Sequence, residues 1–471
     1  MDGFAQRRTG QRALRMGLAQ LACLGRHTIT ALLCAAGRQH QDWSADYRLF
    51  SQDRWQPDQL FAPVLSGLLA LAPAQLPLVA AMDDTHLKKT GTHIPGVAYR
   101  RDPLSPAFHV NFIRTQRFLQ LSGMLPAGVG PDPARSIPLH YQHVPPVPKP
   151  KRSAPPQDWK AYRQRCRQQN LSTAGVAALR KLRQDLDGQP GGTQRLLVTS
   201  IDGSYTNQTV LKNRPDRTVL IGRIRKDAKL CYRPTPADQA PRGVHRRYGQ
   251  PAPTPEQLLR DDAVPWQEVA AFAAGKVHTF RVKTIGPLLW AKAGANCPLR
   301  LVVIAPVGYR PRTGSKMLYR QPAHLICTDL GLPLDKIVQY YVWRWGIEVN
   351  HRDEKQLIGV GQAQVRAPQS ADRDPVFAVA SYAMLLLAGE QAFGLGPAST
   401  GWPAPKWRAR QPKPRLTTRD LIDQLREELW GQALNRLETD SGHFASAVPP
   451  DAKCPEFERS LPAAVRYASG G

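Results

Sequence analysis

The chain has 471 residues and carries 64 lysines and arginines against 37 aspartates and glutamates, a net charge of +27 at pH 7. This surplus favours a phosphate backbone or an anionic membrane as partner, and the length predicts about three domains. The longest apolar stretch, residues 376–388, is too short to span a bilayer. With Asp374 as N-cap and Pro375 at the first helical position, it is predicted to be a buried core helix. Seven dispersed cysteines, with no zinc-binding spacing, favour a reducing cytoplasm.

Residues 1–72 are predicted to form a helical N-terminal domain. A helix over residues 11–24 is followed by Gly25, and Thr28 can cap a second, short helix. This pair resembles a helix-turn-helix, which would suit recognition of DNA ends. The same pattern is also common in helical bundles that have no role in DNA binding.

Two short apolar segments that end in acidic residues are predicted to be strands. Residues 76–82 lead into Asp83 and Asp84, and residues 196–201 lead into Asp202. Carboxylates that follow a buried strand lie at the rim of a sheet, where α/β folds bind ligands. Each segment taken alone is also ordinary turn chemistry. Only one side chain of the adjacent pair would point into a site, and we choose Asp83 because it directly follows the apolar run.

Several further elements are predicted between the two acidic segments. Alternating and aromatic stretches around residues 97–99, 108–114 and 118–125 indicate antiparallel neighbours of the first strand. The proline-rich segment 143–156 is expected to be extended and to lead into a basic helix over about residues 158–186.

A β-rich insertion domain is predicted over residues 207–335. Asp202 and Glu348 lie much further apart along the chain than the about 10 to 12 residues that a crossover from a strand to a helix needs. The intervening segment is rich in β-forming residues, interrupted by proline and glycine. Its predicted strands lie within residues 219–232, 278–285 and 299–306.

The segment YVWRWGIEVNHRDEK places four polar side chains at helical spacing: Tyr341, Arg344, Glu348 and Lys355. On an α-helix these side chains share one narrow face, about 21 Å long. One carboxylate flanked by two cations and a phenol suits a polyanion that lies along the helix, with a metal ion at the carboxylate. The alternative is a solvated helix face held by ion pairs.

The C-terminal region, residues 396–471, is predicted to hold a proline-rich linker, an amphipathic helix and a loosely ordered tail. The linker covers residues 396–415, and Thr417 or Thr418 would cap the helix RDLIDQLREELW. The tail begins at about residue 440.

Three of these features together resemble the catalytic blocks of the DDE transposases of bacterial insertion sequences. They are Asp83 in MDDT, Asp202 in IDGSYT and the Y-x2-R-x3-E-x6-K run, which defines the subgroup with the YREK signature. The resemblance covers about residues 76–392. It implies an α/β fold, a ribonuclease H-like mixed sheet with flanking helices, built from residues 73–206 and 336–395 and interrupted by the β-rich insertion.

The resemblance also implies a function. The enzyme would cleave the DNA ends of an insertion sequence and join them to target DNA by phosphoryl transfer with two metal ions. Asp83, Asp202 and Glu348 would be the catalytic residues and the metal ligands. Their hard oxygen atoms suit Mg²⁺, for which Mn²⁺ can substitute.

The implied partner is double-stranded DNA, both at the element ends and at the target. Tyr341, Arg344 and Lys355 would contact this DNA, and the protein would act as a homodimer on it, at the nucleoid in the bacterial cytoplasm. Three other functions remain open at this point. They are a ribonuclease H-like nuclease without strand transfer, a non-catalytic DNA-binding protein derived from a transposase, and a basic architectural or RNA-binding protein.

Overall fold

The computed structural model describes residues 4, 6–102, 105–106, 108–239, 245–310, 312, 314–396, 415–439 and 464–465. Within these ranges the helices are α1 (Arg7–Ala22), α2 (Ile29–Ala35), α3 (Ser44–Ser51), α4 (Ala62–Leu71), α5 (Pro156–Gln168), α6 (Leu171–Asp187), α7 (Gln208–Lys212), α8 (Pro255–Arg260), α9 (Leu334–Trp343), α10 (Trp345–Gln356), α11 (Pro368–Phe393) and α12 (Thr418–Thr439). The strands are β1 (Leu78–Lys88), β2 (Ala98–Arg101), β3 (Phe112–Pro126), β4 (Ala134–His143), β5 (Leu197–Ile201), β6 (Thr218–Arg223), β7 (Gln267–Ala273), β8 (Lys276–Trp290), β9 (Gly294–Ile304), β10 (Gly308–Tyr309), β11 (Leu318–Tyr319) and β12 (Ala323–Cys327).

A ten-stranded mixed sheet organises the chain. Its order is β2-β3-β1-β5-β6-β12-β9-β8-β7, with β4 also paired to β3. The β1–β5 and β5–β6 pairs are parallel, and the other pairs of this sheet are antiparallel. A large mixed sheet with flanking helices is consistent with the ribonuclease H-like fold that the resemblance implies.

Two hydrophobic clusters lie on opposite faces of this sheet. Ala80 and Met82 of β1 belong to the larger cluster, whereas Val79 and Ala81 belong to the smaller one. This alternation is what a pleated strand with two buried faces requires. Helices α1 to α4, α6 and α11 contribute to the larger cluster, and α9 with the start of α10 covers the other face.

The predicted helices near the N-terminus are confirmed as α1 and α2. The Thr28 hydroxyl caps α2 by accepting a hydrogen bond from the Ala31 N–H at 3.2 Å. Met16 of α1 and Leu32 of α2 lie in the same cluster as β1 and α11, and α1 packs on α11, which in turn packs on β4. Their role in recognising DNA ends stays a prediction, as do the domain boundaries.

The first strand is longer than predicted. Residues Asp83 and Asp84 lie inside β1, because its pairing with β3 continues to Lys88 opposite Thr115. The stretches 108–114 and 118–125, predicted as separate strands, are joined in the single strand β3, which begins only at Phe112.

The strands predicted within the insertion are present but continue the main sheet. The antiparallel pairs β6–β12, β12–β9, β9–β8 and β8–β7 extend it beyond the parallel strands. Strand β6 stops at Arg223, well before residue 232, because the polar segment that follows forms a turn in which the Ala228 N–H donates to the Arg225 carbonyl at 3.2 Å.

The predicted basic helix over residues 158–186 is interrupted and forms two helices. Helix α5 ends at Gln168, and Asn170 caps α6 by accepting hydrogen bonds from the N–H groups of Ser172 and Thr173. Asparagine favours this capping role over a position inside a helix. The segment before α5 lacks regular structure, in agreement with the extended connector that the prolines predict.

The prediction of Asp374 as an N-cap is wrong. Helix α11 begins at Pro368, contains Pro375 in its interior and is 26 residues long. Packing of the first two turns outweighs the cost of an internal proline, about 3 kcal/mol, since Ser370, Ala371 and Arg373 are all buried. By length and composition α11 could cross a membrane, but 72% of its most apolar window is buried in the protein, as in the predicted core helix.

The cap of the last helix is Thr417. Its hydroxyl accepts a hydrogen bond from the Asp420 N–H at 3.3 Å, and the Asp420 carboxylate accepts one from the Thr417 N–H at 2.8 Å. The predicted linker between residues 396 and 415 and the tail beyond residue 440 lie outside the described residues, apart from residues 464–465.

Candidate active site

Two parallel strands carry the first two predicted acids to one edge of the sheet. The last paired residues of β1 and β5 directly precede Asp83 and Asp202, so these two acids are lateral neighbours. Side chains alternate between faces along a strand, and Asp83 has the parity of Ala81 while Asp202 has that of Val198. Both apolar residues belong to the cluster under α9 and α10, so the two carboxylates face these helices.

The helical segment that carries the third acid is not one continuous α-helix. The hydrogen-bond pattern breaks at Arg344, although its φ of −50° and ψ of −33° remain helical. The Arg344 N–H bonds to the Tyr341 carbonyl at 3.2 Å, and the Ile347 N–H bonds to the Arg344 carbonyl at 3.0 Å, which is 3₁₀-type spacing. The face nevertheless persists across the junction, because the Arg344 guanidinium lies 5.9 Å from the Tyr341 ring centroid and 3.0 Å from the Glu348 carboxylate.

Arg344 connects the strand acid to the helix acid. Its Nη1 lies 3.5 Å from Asp83 Oδ2, and its Nη2 lies 3.0 Å from Glu348 Oε1. Burial lowers the pKa of Arg344, but the charges of Tyr341, Glu348, Asp83 and Asp202 outweigh this effect and raise the pKa above its ordinary value. The three predicted acids therefore act on one guanidinium.

The environment of Asp83 disfavours its charge. Burial, aided by the charges of Asp84 and Asp202, raises the pKa of this carboxyl group from 3.8 to about 7, against the lowering effects of the Asp84 N–H and Arg344. A carboxylate in this position is stabilised by any additional cation beside it.

This pKa predicts a pH-dependent effect of the substitution Asp83→Asn on stability. Because the folded-state pKa lies above the ordinary value, ionisation of Asp83 opposes folding. That penalty is absent below about pH 4, grows as pH rises, and is complete above pH 7. The melting temperature of the variant relative to the wild type should therefore rise between pH 5 and pH 8, measured by circular dichroism in EDTA.

The control is Asp227→Asn. Asp227 is an exposed acid whose pKa is lowered by the hydrogen bond from Arg225, so its substitution should give no such rise. A melting-temperature difference for Asp83→Asn that stays flat or falls across this pH range would contradict the burial of its charge.

Asp84 points to the opposite face and has other partners. Its carboxylate lies 2.9 Å from Arg117 Nε and accepts a hydrogen bond from the Tyr205 hydroxyl at 3.3 Å. Burial raises the pKa of Asp84 as well. Of the adjacent pair, Asp83 is the acid that shares a cation with Glu348.

Lys355 lies further along α10, beside the far part of β1. Burial lowers its pKa, Glu354 opposes this effect and Lys88 adds to it, and the charge of Lys355 in turn lowers the pKa of His86. The structure thus brings Tyr341, Arg344 and Glu348 together, and it places Lys355 of α10 near His86 and Lys88, further along β1 than Asp83.

Sequence reasoning missed Arg223 as a neighbour of this site. The β5–β6 pairing ends with Ile201 opposite Gly222. The next residues, Asp202 and Arg223, are therefore lateral neighbours, and Arg223 lies on the side of Asp202 away from Asp83. Its parity is that of Ile221, in the cluster under α9. The register of two parallel strands would have revealed it, but that register is not readable from the sequence.

The donor chemistry of the acids fits a divalent cation, because Mg²⁺ and Mn²⁺ prefer carboxylate oxygens. In the part of the chain that the structure describes, however, no group of three His, Cys, Asp or Glu side chains is arranged to hold an ion directly. The guanidinium of Arg344 lies between Asp83 and Glu348. An ion at these oxygens would therefore have to displace it.

A family comparison decides the class of protein. The sequence profile described as DDE superfamily endonuclease matches residues 1–288. The chain belongs to this family. A search of curated proteins found no match. The matched segment of this DDE endonuclease contains Asp83 and Asp202 but ends before Tyr341. Endonucleases of this superfamily act on DNA and generally use divalent metal ions.

Proposed function

We propose that this DDE endonuclease is a transposase of the YREK subgroup, which cleaves the ends of an insertion sequence and joins them to target DNA. The observation that carries the proposal is the approach of three acids from β1, β5 and α10 to one guanidinium. The spacing of Tyr341, Arg344, Glu348 and Lys355 supports the subgroup. Action as a homodimer on DNA, at the nucleoid, belongs to the same proposal, since two ends must be cut together.

Asp83, Asp202 and Glu348 are the residues that would hold Mg²⁺ or Mn²⁺. When bound, such an ion supplies Lewis acidity and a lowered pKa of water at the phosphate. The chain itself supplies charge and position. The planar guanidinium of Arg344 can grip a phosphate with two parallel hydrogen bonds, and Lys355 offers a second cation for the backbone.

Tyr341 acts in this proposal as a neutral hydrogen-bond donor. Burial raises the pKa of its phenol, with Arg344 and Arg223 opposing the effect, so the hydroxyl keeps its proton at neutral pH. A protonated phenol can donate to a phosphate oxygen next to the guanidinium of Arg344. The two side chains together would fix the reacting phosphate against the acids.

Arg344 has two roles in this account, as counterion of the acids and as ligand of the DNA. Arriving phosphate offers the guanidinium a new anion, so the acids are released from it when DNA binds. The substitution Arg344→Gln should therefore strengthen Mn²⁺ binding in the absence of DNA and weaken DNA binding. Isothermal titration with Mn²⁺ at pH 8, where Asp83 is ionised, measures the first effect.

The matched control is Arg352→Gln on the same helix, since Arg352 pairs with Asp353 and its side chain is 58% exposed. It should leave Mn²⁺ affinity unchanged. Weaker Mn²⁺ binding by Arg344→Gln than by the wild type would refute the displacement.

Strand transfer separates the proposal from a plain nuclease. Incubation of the protein with DNA that carries free 3′-hydroxyl ends and a circular target should yield joined products in the presence of Mg²⁺. Nicking without any joined product would leave the chain as a DNA endonuclease and remove the transposase assignment.

A further inference from the structure

A basic cleft opens directly beside Asp202. It has a volume of about 870 Å³ and is lined by the ends of β5, β6 and β8, by the start of β12 and by α8. Asp202 forms one wall, and Arg223 is its lateral neighbour. The cleft thus adjoins the proposed site of Asp83, Asp202 and Glu348 through Asp202, and Arg344 is not among its lining residues.

The cleft keeps a positive charge even when the ion pairs between its own lining residues are discounted. Two of its acids are already paired, Asp227 with Arg225 at 3.0 Å and Glu256 with Lys226 at 3.1 Å. His324 adds no charge at neutral pH, because burial lowers its pKa. The remaining cations are Arg223, Lys229 and Lys292.

These three cations are available to a ligand. All three are exposed, and the described residues offer no hydrogen bond or ion pair to the side chains of Arg223 and Lys229. Among the same described residues, the Lys292 ammonium contacts the ring of Trp290, at 4.9 Å from its centroid. Three exposed cations that converge on one cleft favour a ligand with several negative charges.

The size of the cleft selects the kind of polyanion. Its volume of about 870 Å³ lies within the range of pockets that take small molecules, about 300 to 1,000 Å³, and is too small to enclose a DNA duplex. A few nucleotides of one strand can enter, and the phosphates of that strand match the three cations. The position beside Asp202 puts this strand next to the reacting phosphate.

We propose that the cleft of Arg223, Lys229 and Lys292 binds the phosphate backbone of a single DNA strand, separated from its complement next to the cleavage point. This assignment rests on the proposed action of the enzyme on DNA ends, and it specifies the form of DNA that the site takes. It also gives Arg223 the role of holding the strand beside Asp202.

The test compares two probes in EDTA by fluorescence anisotropy, a labelled single-stranded oligonucleotide and a blunt duplex of the same sequence, over a range of NaCl concentrations. The cleft variant is Arg223→Gln/Lys229→Gln/Lys292→Gln. Each phosphate contact on a single strand contributes about 0.7 to the salt slope. The variant should therefore lower the slope for the single strand by about 2, with little change for the duplex.

The control variant, Lys160→Gln/Arg163→Gln/Arg167→Gln, removes the same charge from α5, which has no buried residue and no part in the cleft. It should not weaken binding of the single-stranded oligonucleotide more than binding of the duplex. The charge-conserving variant Arg223→Lys/Lys229→Arg/Lys292→Arg should restore the salt slope of single-strand binding. This result would show that the cleft variant acts through lost charge and not through a disturbed fold.

Equal effects of the cleft and control variants on both probes would overturn the proposal, as would an unchanged single-strand slope in the cleft variant. Because binding is measured without metal, its outcome is independent of cleavage. A wild type that shows the predicted binding but never nicks DNA would count against the proposed function and not against the cleft.

Discussion

Replacement of Glu348 by glutamine is expected to abolish metal-dependent nicking of DNA while DNA binding persists. The substitution keeps the shape of the side chain but removes a negative charge that the ion requires. Loss of a residue that only orients a metal ligand lowers affinity or activity about 10- to 100-fold, so loss of a ligand should exceed this. The Glu348 side chain is 35% exposed, so the fold should tolerate the change.

The same helix provides a matched control, Glu354→Gln. Glu354 is almost fully buried, and burial raises its pKa to about 8, so at pH 7 it is mostly neutral and glutamine resembles it closely. Nicking of a supercoiled plasmid in Mg²⁺, followed on agarose gels, should be retained by this variant. Substantial nicking by Glu348→Gln, or an equal loss in both variants, would contradict the role of Glu348.

The largest expected effect on stability comes from Asp46→Ala, far from the acids. Asp46 of α3 is fully buried and faces three guanidinium groups, those of Arg12 at 3.3 Å, Arg15 at 3.1 Å and Arg38 at 3.4 Å. Removing one partner of a buried ion pair costs about 3 to 5 kcal/mol, because the remaining charge loses a buried counterion. The arginine side chains are about one-fifth exposed, and water reduces the penalty, so we expect about 3 kcal/mol.

Urea denaturation followed by circular dichroism measures this change in the free energy of unfolding. Asp423→Ala is the comparison, because Asp423 is 56% exposed and its ion pairs with Arg419 and Arg426 lie at the surface, where such pairs are worth about 0 to 1 kcal/mol. A loss below about 1 kcal/mol for Asp46→Ala would show that the N-terminal helices do not depend on this buried carboxylate.

The sequence predicted the two strands that lead to Asp83 and Asp202, but not which face of the sheet each acidic side chain meets. Apolar runs before Asp83 and Asp202 predicted strands, and both strands exist. The choice between Asp83 and Asp84 depends on which face of the sheet each residue meets. That face is defined by the alternation of Val79 and Ala81 against Ala80, and a run that is apolar on both faces carries no such alternation in its sequence.

Elements that violate local rules were missed or misplaced. Strand β4 was not predicted, and it contains Pro138, a residue that usually argues against a strand. The strand accommodates this proline next to a register shift between Leu121 and Ser122 of its partner β3. Pro375 led to a wrong prediction of the helix start. The turn that precedes this proline is buried, and its packing keeps α11 helical on both sides of Pro375.

The pairing of strands that lie far apart in the sequence could not be predicted either. The strands predicted over residues 278–285 and 299–306 are real, but nothing local indicates that β12 pairs with both β6 and β9 and thereby joins them to the main sheet. The cleft beside Asp202 is a product of this pairing, because it brings the ends of β6, β8 and β12 together. Its cations were visible in the sequence only as scattered charges.

The central claim is that Asp83, Asp202 and Glu348 share divalent metal ions. Anomalous scattering from crystals soaked in Mn²⁺, with DNA bound so that Arg344 has a phosphate to contact, tests it most directly. The account predicts manganese peaks bonded to carboxylate oxygens of all three residues. Manganese elsewhere in the protein, with these three acids still held by Arg344, would contradict it.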